Sequence, residues 1–253
     1  MRRNIKLVIS YDGTEFAGWQ IQSSDRSVQG VLTEALSDLH QESVSITGAG
    51  RTDSGVHAVG QVGNFYTGKD TIPDWKFRDA LNARLPRDIR ILSSDEVPRD
   101  FHSRRDACFR QYEYRMIEGP AGPAHLDRFT WLIRRMPPLG ALNDMASAIC
   151  GTHDFSTFAA AGDASGSRIR RIYHAAFLSD SSTTVFRISG NAFLWRMVRS
   201  LLGTMIDLGV RGMGRREMRA LLDAKERKNA GPTAPSQGLF LKKVSYGPDT
   251  GVY

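Results

Sequence analysis

Cysteine is scarce in this 253-residue chain, which has only Cys108 and Cys150. Two are too few for a disulfide framework, and their spacing matches no zinc site. Long apolar runs are missing as well. The N-terminus, Met1-Arg2-Arg3-Asn4, enters a strand-like run within a few residues, without the apolar stretch of a signal segment. The most apolar later stretch, Phe193 to Val210, is interrupted by Arg196, Arg199 and Asp207, which excludes a membrane span. The expectation is a soluble, cytoplasmic protein with reduced thiols. What is present is ordinary for a globular chain. Hydrophobic residues are 41% and charged residues 24%, which excludes a disordered, low-complexity or collagen-like polymer. The length suits one large domain or two of common size.

Charge is unevenly placed. The chain carries 34 Lys and Arg against 27 Asp and Glu, a net of +7. Residues 1–105 hold 14 basic and 14 acidic side chains, so the whole excess lies in residues 106–253. Arginine dominates, 27 against 7 lysines. Its planar fork binds phosphate bidentately and stacks on bases, which favours a nucleic-acid partner. Arginine-rich codon usage is the plainer account of the same count.

Periodicity gives the elements. Ile5 to Tyr11 alternates as a strand, and Asp12-Gly13-Thr14 turns the chain. Ser27 is placed to cap a helix with Val28, Leu32, Leu36 and Leu39 on one face. Val44 to Thr47 reads as a short strand and Val59 to Tyr66 as another. Asp74 is expected to cap a helix through Leu85 that Pro86 ends, and Ile89 to Leu92 returns as a strand. Polar Pro98 to Asp106 marks a boundary between a domain of residues 1–105 and one of residues 106–253. Beyond it come a strand over Phe109–Ile117, a helix over Leu139–Ile149, strands over Ile172–Leu178 and Val185–Ser189, helices over Phe193–Leu208 and Arg215–Lys228, and a last strand over Gly238–Tyr246. The two halves repeat roughly one order of elements, which predicts an α+β protein of two similar layers with antiparallel sheets.

The most informative segment is Gly48-Ala49-Gly50-Arg51-Thr52-Asp53-Ser54-Gly55-Val56-His57-Ala58. Its glycines permit a tight backbone and close approach of a ligand. A carboxylate beside a guanidinium stays ionised and can serve as nucleophile or general base. The plainer reading is a turn in which Asp53 caps the next element and pairs with Arg51. Glycoside hydrolysis needs a second carboxylate, and the loop has one. Asp53 with His57 is a thin metal site, and His153-Asp154 is more simply a capping pair. No Gly-Lys-Ser/Thr follows the glycines, so this is no Walker loop.

The segment resembles the catalytic loop of the TruA family of tRNA pseudouridine synthases. Further segments fit that family in the same order. They are Tyr11-Asp12-Gly13-Thr14 with Phe16 and Gly18-Trp19-Gln20, then Ser27-Val28-Gln29-Gly30, Leu85-Pro86-Arg87-Asp88-Ile89, Phe101-His102-Ser103-Arg104 and Arg110-Gln111-Tyr112-Glu113-Tyr114. The second half adds Gly151-Thr152-His153-Asp154-Phe155, Phe193 to Arg199, and Ala230 to Pro235 with Gly238-Leu239. The resemblance spans residues 5 to 246. It departs at Ser103, where the family commonly has alanine, and over the tail from Gly247 to Tyr253.

The resemblance implies a pseudouridine synthase fold of two α/β sandwich domains with the active site in a cleft between them. It implies an isomerase that acts on the anticodon stem-loop of tRNA at positions 38–40, as a homodimer, without metal or other cofactor. Asp53 is its catalytic aspartate, Arg199 the cation that pairs with it, Tyr112 the ring that stacks on the target base, and Leu239 an apolar wall on the base's other side. Arg51 is expected to act in nucleotide flipping or in holding the vacated stack. Stacking is worth roughly 1–3 kcal/mol per base, enough to offset much of the few kcal/mol of unstacking. From the residues alone, alternatives stay open. Tyr112 is a core tyrosine, with Tyr114 the alternative on the same strand face, Leu239 is ordinary strand core, and Arg199 is a phosphate contact or a surface charge. Arg168, Arg170, Arg171, Arg211, Arg215, Arg216 and Arg219 are unranked candidates for gripping RNA. The rival functions are a synthase with another RNA target, a non-catalytic RNA-binding protein, and a hydrolase built on Asp53 and His57.

Overall fold

A computed structural model describes residues 2–180 and 182–247. In chain order the strands are β1 (Arg3–Tyr11), β2 (Thr47–Gly48), β3 (His57–Thr67), β4 (Ile89–Val97), β5 (Phe109–Glu118), β6 (Trp131–Ile133), β7 (Gly151–Asp154), β8 (Ile169–Asp180), β9 (Thr183–Gly190) and β10 (Leu239–Ser245). The helices are α1 (Val28–His40), α2 (Phe77–Asn82), α3 (Leu139–Ala148), α4 (Met197–Val210) and α5 (Arg215–Ala224). The protein is thus α+β, and it divides into two compact units. One comprises residues up to Cys108 with those from Phe240 on, and the other runs over Phe109–Leu239.

In the first unit the strand order is β4-β1-β3-β10, and β2 also pairs with β3. The β4–β1, β1–β3 and β2–β3 ladders are antiparallel, while β10 runs parallel to β3 with Phe240 opposite His57. The period-two residues Ile5, Leu7, Ile9 and Tyr11 are all buried, as a half-covered strand requires. Ser27 caps α1, its hydroxyl accepting the Gly30 N–H at 3.2 Å. That helix buries Val28, Leu32, Ala35, Leu36 and His40, whereas Leu39 is only half-buried. A buried amide pair ties the polar segment after β4 to the sheet. Asn4 donates to the carbonyls of Pro98 (3.1 Å) and Phe101 (2.9 Å), and Asn64 donates to Asn4 at 2.9 Å.

In the second unit the order is β5-β9-β8-β7, antiparallel throughout, with β6 parallel to β5. Helix α3 packs on β8, α4 and α5. The core combines Leu142 and Met145 of α3, Leu201 and Met205 of α4, and Phe177 and Phe186, whose ring centroids lie 4.6 Å apart.

Several elements differ from the sequence reading. The helix expected from Phe193 begins at Met197, because Arg196 adopts a left-handed conformation (φ 59°) at its N-cap. The basic helix stops at Ala224 rather than Lys228, since Lys225 is also left-handed (φ 55°). The expected strand at Val44–Thr47 is confined to Thr47–Gly48. Asp74 does not cap its own helix. A 3-10 turn over Asp74–Lys76 precedes the short α2, and the Asp74 carboxylate accepts the Glu96 N–H on β4 at 3.1 Å. That bond, chiefly, holds the Asp74 carboxyl below its ordinary pKa. A linear split after residue 105 leaves the last strand with the second half, but its pairing with β3 attaches Phe240 onward to the first unit.

Candidate active site

The loop from β2 into β3 carries Arg51 and Asp53, and the fold fixes it from behind. Gly18 adopts φ +103°, and a Cβ there would stand 2.5 Å from the Thr52 carbonyl oxygen and 3.0 Å from the Asp53 carbonyl carbon. Only glycine allows that backbone angle and that approach together. The Trp19 N–H donates to the Thr52 carbonyl at 3.1 Å, and the Gly55 N–H to the Phe16 carbonyl at 3.2 Å. The buried Tyr11 hydroxyl and Thr52 Oγ1 lie 2.8 Å apart. A turn closes where the Val56 N–H donates to the Asp53 carbonyl at 3.1 Å. Asp53 is left half-buried between exposed Arg51 and Ser54. Its side chain therefore stands on a backbone ordered during folding, so little positioning entropy remains to be lost when a substrate arrives.

His57 is occupied otherwise. Its Nδ1 accepts the Gly13 N–H at 2.9 Å, and its ring stacks on Phe240 with centroids 4.7 Å apart. Asp12 Oδ1 stands 3.2 Å from the same Nδ1. A nitrogen that accepts a backbone N–H has no proton to give a carboxylate, so we read this as proximity and not as an ion pair. Asp12 Oδ1 instead accepts the Thr14 N–H (3.0 Å) and hydroxyl (2.6 Å), fixing the Asp12-Gly13-Thr14 turn. A buried ring stacked and bonded in this way is structural, which counts against the Asp53–His57 hydrolase. Among the described residues there is no group of three or more His, Cys, Asp or Glu placed to hold a metal ion. His153 and Asp154 are engaged locally, His153 Nε2 lying 2.8 Å from the Cys150 carbonyl oxygen, although neither side chain caps the 3-10 turn over Ser156–Phe158. Asp154 Oδ1 accepts from the Ser156 N–H and hydroxyl at 2.9 and 2.6 Å, and those bonds, led by the hydroxyl, lower its pKa.

The other candidate residues belong to the second unit. Arg199 lies in the first turn of α4, where its Nε donates to the Ala234 carbonyl at 2.8 Å and its own carbonyl accepts the Ala234 N–H at 3.1 Å. The loop before β10 is thereby clamped to the helix. Gly203 lets it come close, since a Cβ there would lie within 2.9 Å of the Ala234 nitrogen and closer still to Pro232. The Tyr114 hydroxyl donates to the Pro235 carbonyl at 2.8 Å. Burial pushes the Tyr114 phenol well above its ordinary value, with the Arg199 charge working the other way. Tyr114 is therefore a core tyrosine. Tyr112, two residues earlier on the same strand face, is 9% exposed and meets Phe193 edge-on at 5.2 Å. Leu239 is buried, and its N–H donates to the Ser236 carbonyl at 3.0 Å. Arg199 and the loop leading to Leu239 are thus joined around Tyr114.

Among the arginines proposed as RNA contacts, Arg168 pairs with Asp163 at 2.8 Å and Arg219 with Asp223 at 3.4 Å, and Arg211 pairs with Asp207. Arg170 is partly buried beside Arg168 and Arg110. Burial first, and those two charges after it, lower its pKa despite Asp163. Arg171 and Arg216 are exposed, and Arg215 bonds to Asp144 and Ser147 of α3.

One feature escaped the sequence reading. A hollow of about 90 Å³ opens beside the catalytic-loop candidate, with Trp19, Gln20, Gln29, Gly50, Arg51 and Arg104 in its wall. The Gly18-Trp19-Gln20 and Ser103-Arg104 segments are visible in the chain, but their convergence depends on contacts across tens of residues. Ser103 explains its own departure from alanine. It is fully buried, its N–H donates to Asn64 Oδ1 at 3.0 Å, and its hydroxyl donates to the Thr47 carbonyl at 2.7 Å.

Comparison with known proteins places the chain. The tRNA pseudouridine synthase family matches residues 7–106 and 145–247. The chain is 44% identical to a tRNA pseudouridine synthase A of Treponema denticola, covering 98% of this chain and 94% of that protein. It is 38% identical to the one of Acetivibrio thermocellus, covering 96% of this chain and 100% of the relative. For the Anoxybacillus flavithermus protein the identity is 40%, covering 96% and 99%. The chain belongs to the tRNA pseudouridine synthase family.

Proposed function

We propose that this chain isomerises uridine to pseudouridine in tRNA, with Asp53 as its catalytic carboxylate. The N1–C1′ bond of the uridine breaks, the uracil turns, and a C5–C1′ bond forms. The proton on C5 leaves and N1 gains one, so atoms and electrons balance without an oxidant, a reductant or water. The chemistry asks for one fixed carboxylate beside the sugar and the base. The observation that carries the reading is Asp53 itself, held on a turn braced by Gly18 and the buried Tyr11–Thr52 pair, in a chain matching such synthases over nearly its whole length.

By the resemblance, Tyr112 stacks on the target base, Leu239 walls it and Arg199 pairs with the carboxylate and aims it; we assign Arg51 to flipping the nucleotide or holding the vacated stack. The substrate we assign is the anticodon stem-loop, at positions 38–40. The net of +7, all of it contributed by residues 106–253, supports docking on phosphates. We assign a homodimer and a cytoplasmic setting, and molar mass from light scattering checks the first of these.

Tritium release from tRNA labelled at uridine C5 tests the activity. The wild-type protein is expected to release tritium with turnover and without added metal. Tight tRNA binding without release would instead identify a non-catalytic RNA-binding protein.

A further inference from the structure

Within the second unit, residues 191–196 are locked to the loop before β8. The Trp195 N–H donates to Asp163 Oδ2 at 2.5 Å, and the Ala160 N–H donates to the Trp195 carbonyl at 3.0 Å. Asp163 is itself held, with Oδ1 accepting the Ser165 N–H at 2.8 Å and pairing with Arg168 at 2.8 Å. At the other end, the Asn191 N–H donates to the Arg171 carbonyl at 3.0 Å and Asn191 Oδ1 accepts the Arg171 N–H at 2.9 Å. Gly162 lets the loop run along the edge of the indole. A Cβ there would stand 3.0 Å from Cζ3 of Trp195, and 3.8 and 3.9 Å from the ring carbons on either side.

This frame holds an aromatic ring in solvent. Trp195 is 45% exposed, and the Arg196 guanidinium lies 4.9 Å from its ring centroid. Arg196 is left-handed (φ 59°), a conformation that non-glycine residues adopt rarely and that gathers at functional sites. An indole left partly in water forgoes some of the stabilisation that burial would give, yet its main chain is fixed from both sides. A rigid indole beside a guanidinium suits a nucleobase, which stacks on rings and on guanidinium planes alike. The charge agrees. Residues 160–171 and 191–196 carry four arginines and one carboxylate, Asp163.

The position agrees as well. Phe193 meets the Tyr112 ring edge-on at 5.2 Å, and Arg199 follows in the first turn of α4. Trp195 is two residues from Phe193 and four from Arg199, so the Cα separations are at most ~7 and ~14 Å. One short strand of RNA can meet all three side chains of this unit.

We propose that Trp195, with Arg196 beside it, is a second base-stacking platform, which takes an unpaired base of the tRNA close to the uridine held at Tyr112. The inference rests on the activity proposed above.

The test uses the full chain and synthetic anticodon stem-loops in which single unpaired nucleotides other than the target uridine are made abasic. In the wild-type protein, one abasic position is expected to weaken binding roughly tenfold. Trp195→Ala is expected to weaken binding of the unmodified stem-loop by a similar factor, with an unchanged salt slope, because a lost stack releases no counterion. In Trp195→Ala the sensitive abasic position is expected to cost nothing further. Trp195→Leu, which keeps apolar bulk and offers no ring, should behave like Trp195→Ala, and Trp195→Phe should restore most of the affinity. The proposal is overturned if every abasic position costs as much in Trp195→Ala and Trp195→Leu as in wild type, or if both variants bind the unmodified stem-loop normally. It is also overturned if Trp195→Ala halves the molar mass in light scattering without any such coupling, which would put the indole between two copies of the chain. Tritium release by the wild-type protein on unmodified RNA, run alongside, reports separately on the isomerase reading.

Discussion

The loop that carries Asp53 and the loop that precedes Leu239 are held by the same kind of parts. Each is pinned by a buried tyrosine hydroxyl, Tyr11 to Thr52 in one and Tyr114 to Pro235 in the other, both at 2.8 Å. Each rests on a glycine through which main chain meets main chain, Gly18 beneath Thr52–Ser54 and Gly203 beneath Pro232–Ala234. They differ in what is held. The first loop presents a charged side chain on a backbone that backbone contacts have fixed. The second uses a charged side chain, Arg199, as a fastener to its own Ala234. The comparison teaches that a loop exposing a carboxylate is stiffened by groups other than that carboxylate, while the loop before Leu239 is fastened by a cation from the neighbouring helix.

The largest effect that would break this parallel is expected from the two glycines. Gly18→Ala adds left-handed strain and overpacking together, about 2–4 kcal/mol, and should depress turnover at saturating tRNA because the Asp53 backbone moves. Gly203→Ala adds only overpacking, about 1–3 kcal/mol, seen as a lowered unfolding midpoint. Unchanged stability in either would mean that loop is not supported from beneath.

The tyrosines come next. Tyr114→Phe and Tyr11→Phe each remove one buried hydroxyl and leave its partner unsatisfied, costing about 1–3 kcal/mol in denaturant unfolding. A loss for one and none for the other would show that the loops are pinned unequally. The smallest effect is expected at Ser103→Ala, about 0.5–1.5 kcal/mol, since alanine keeps the backbone bond to Asn64 and loses only the hydroxyl bond to Thr47.

The sequence was most readable where the pattern is long and local. The alternation of Ile5, Leu7, Ile9 and Tyr11 and the stripe on α1 repeat often enough to fix type and face. The expected helix at Phe193 began too early because apolar spacing continues through Leu194, while the left-handed backbone at Arg196 has no sequence signature in an arginine. Lys225 hid the end of α5 in the same way. Strands β6 and β7 have three and four residues, too few for a period to show. The parallel return of β10 to β3 is a contact across the length of the chain. In the candidate site, Arg51 and Asp53 stood out because charge sits among glycines. The brace of Gly18 and Tyr11, and the hollow shared with Arg104, exist only once distant segments meet.

The account turns on whether the Asp53 carboxylate does the chemistry while the rest of the surface does the binding. Asp53→Asn keeps the shape and removes the charge, so tRNA affinity and C5 tritium release should be measured on the same preparation. The account predicts affinity within a few-fold of wild type and no detectable release. Release at the wild-type rate from the asparagine variant would contradict it.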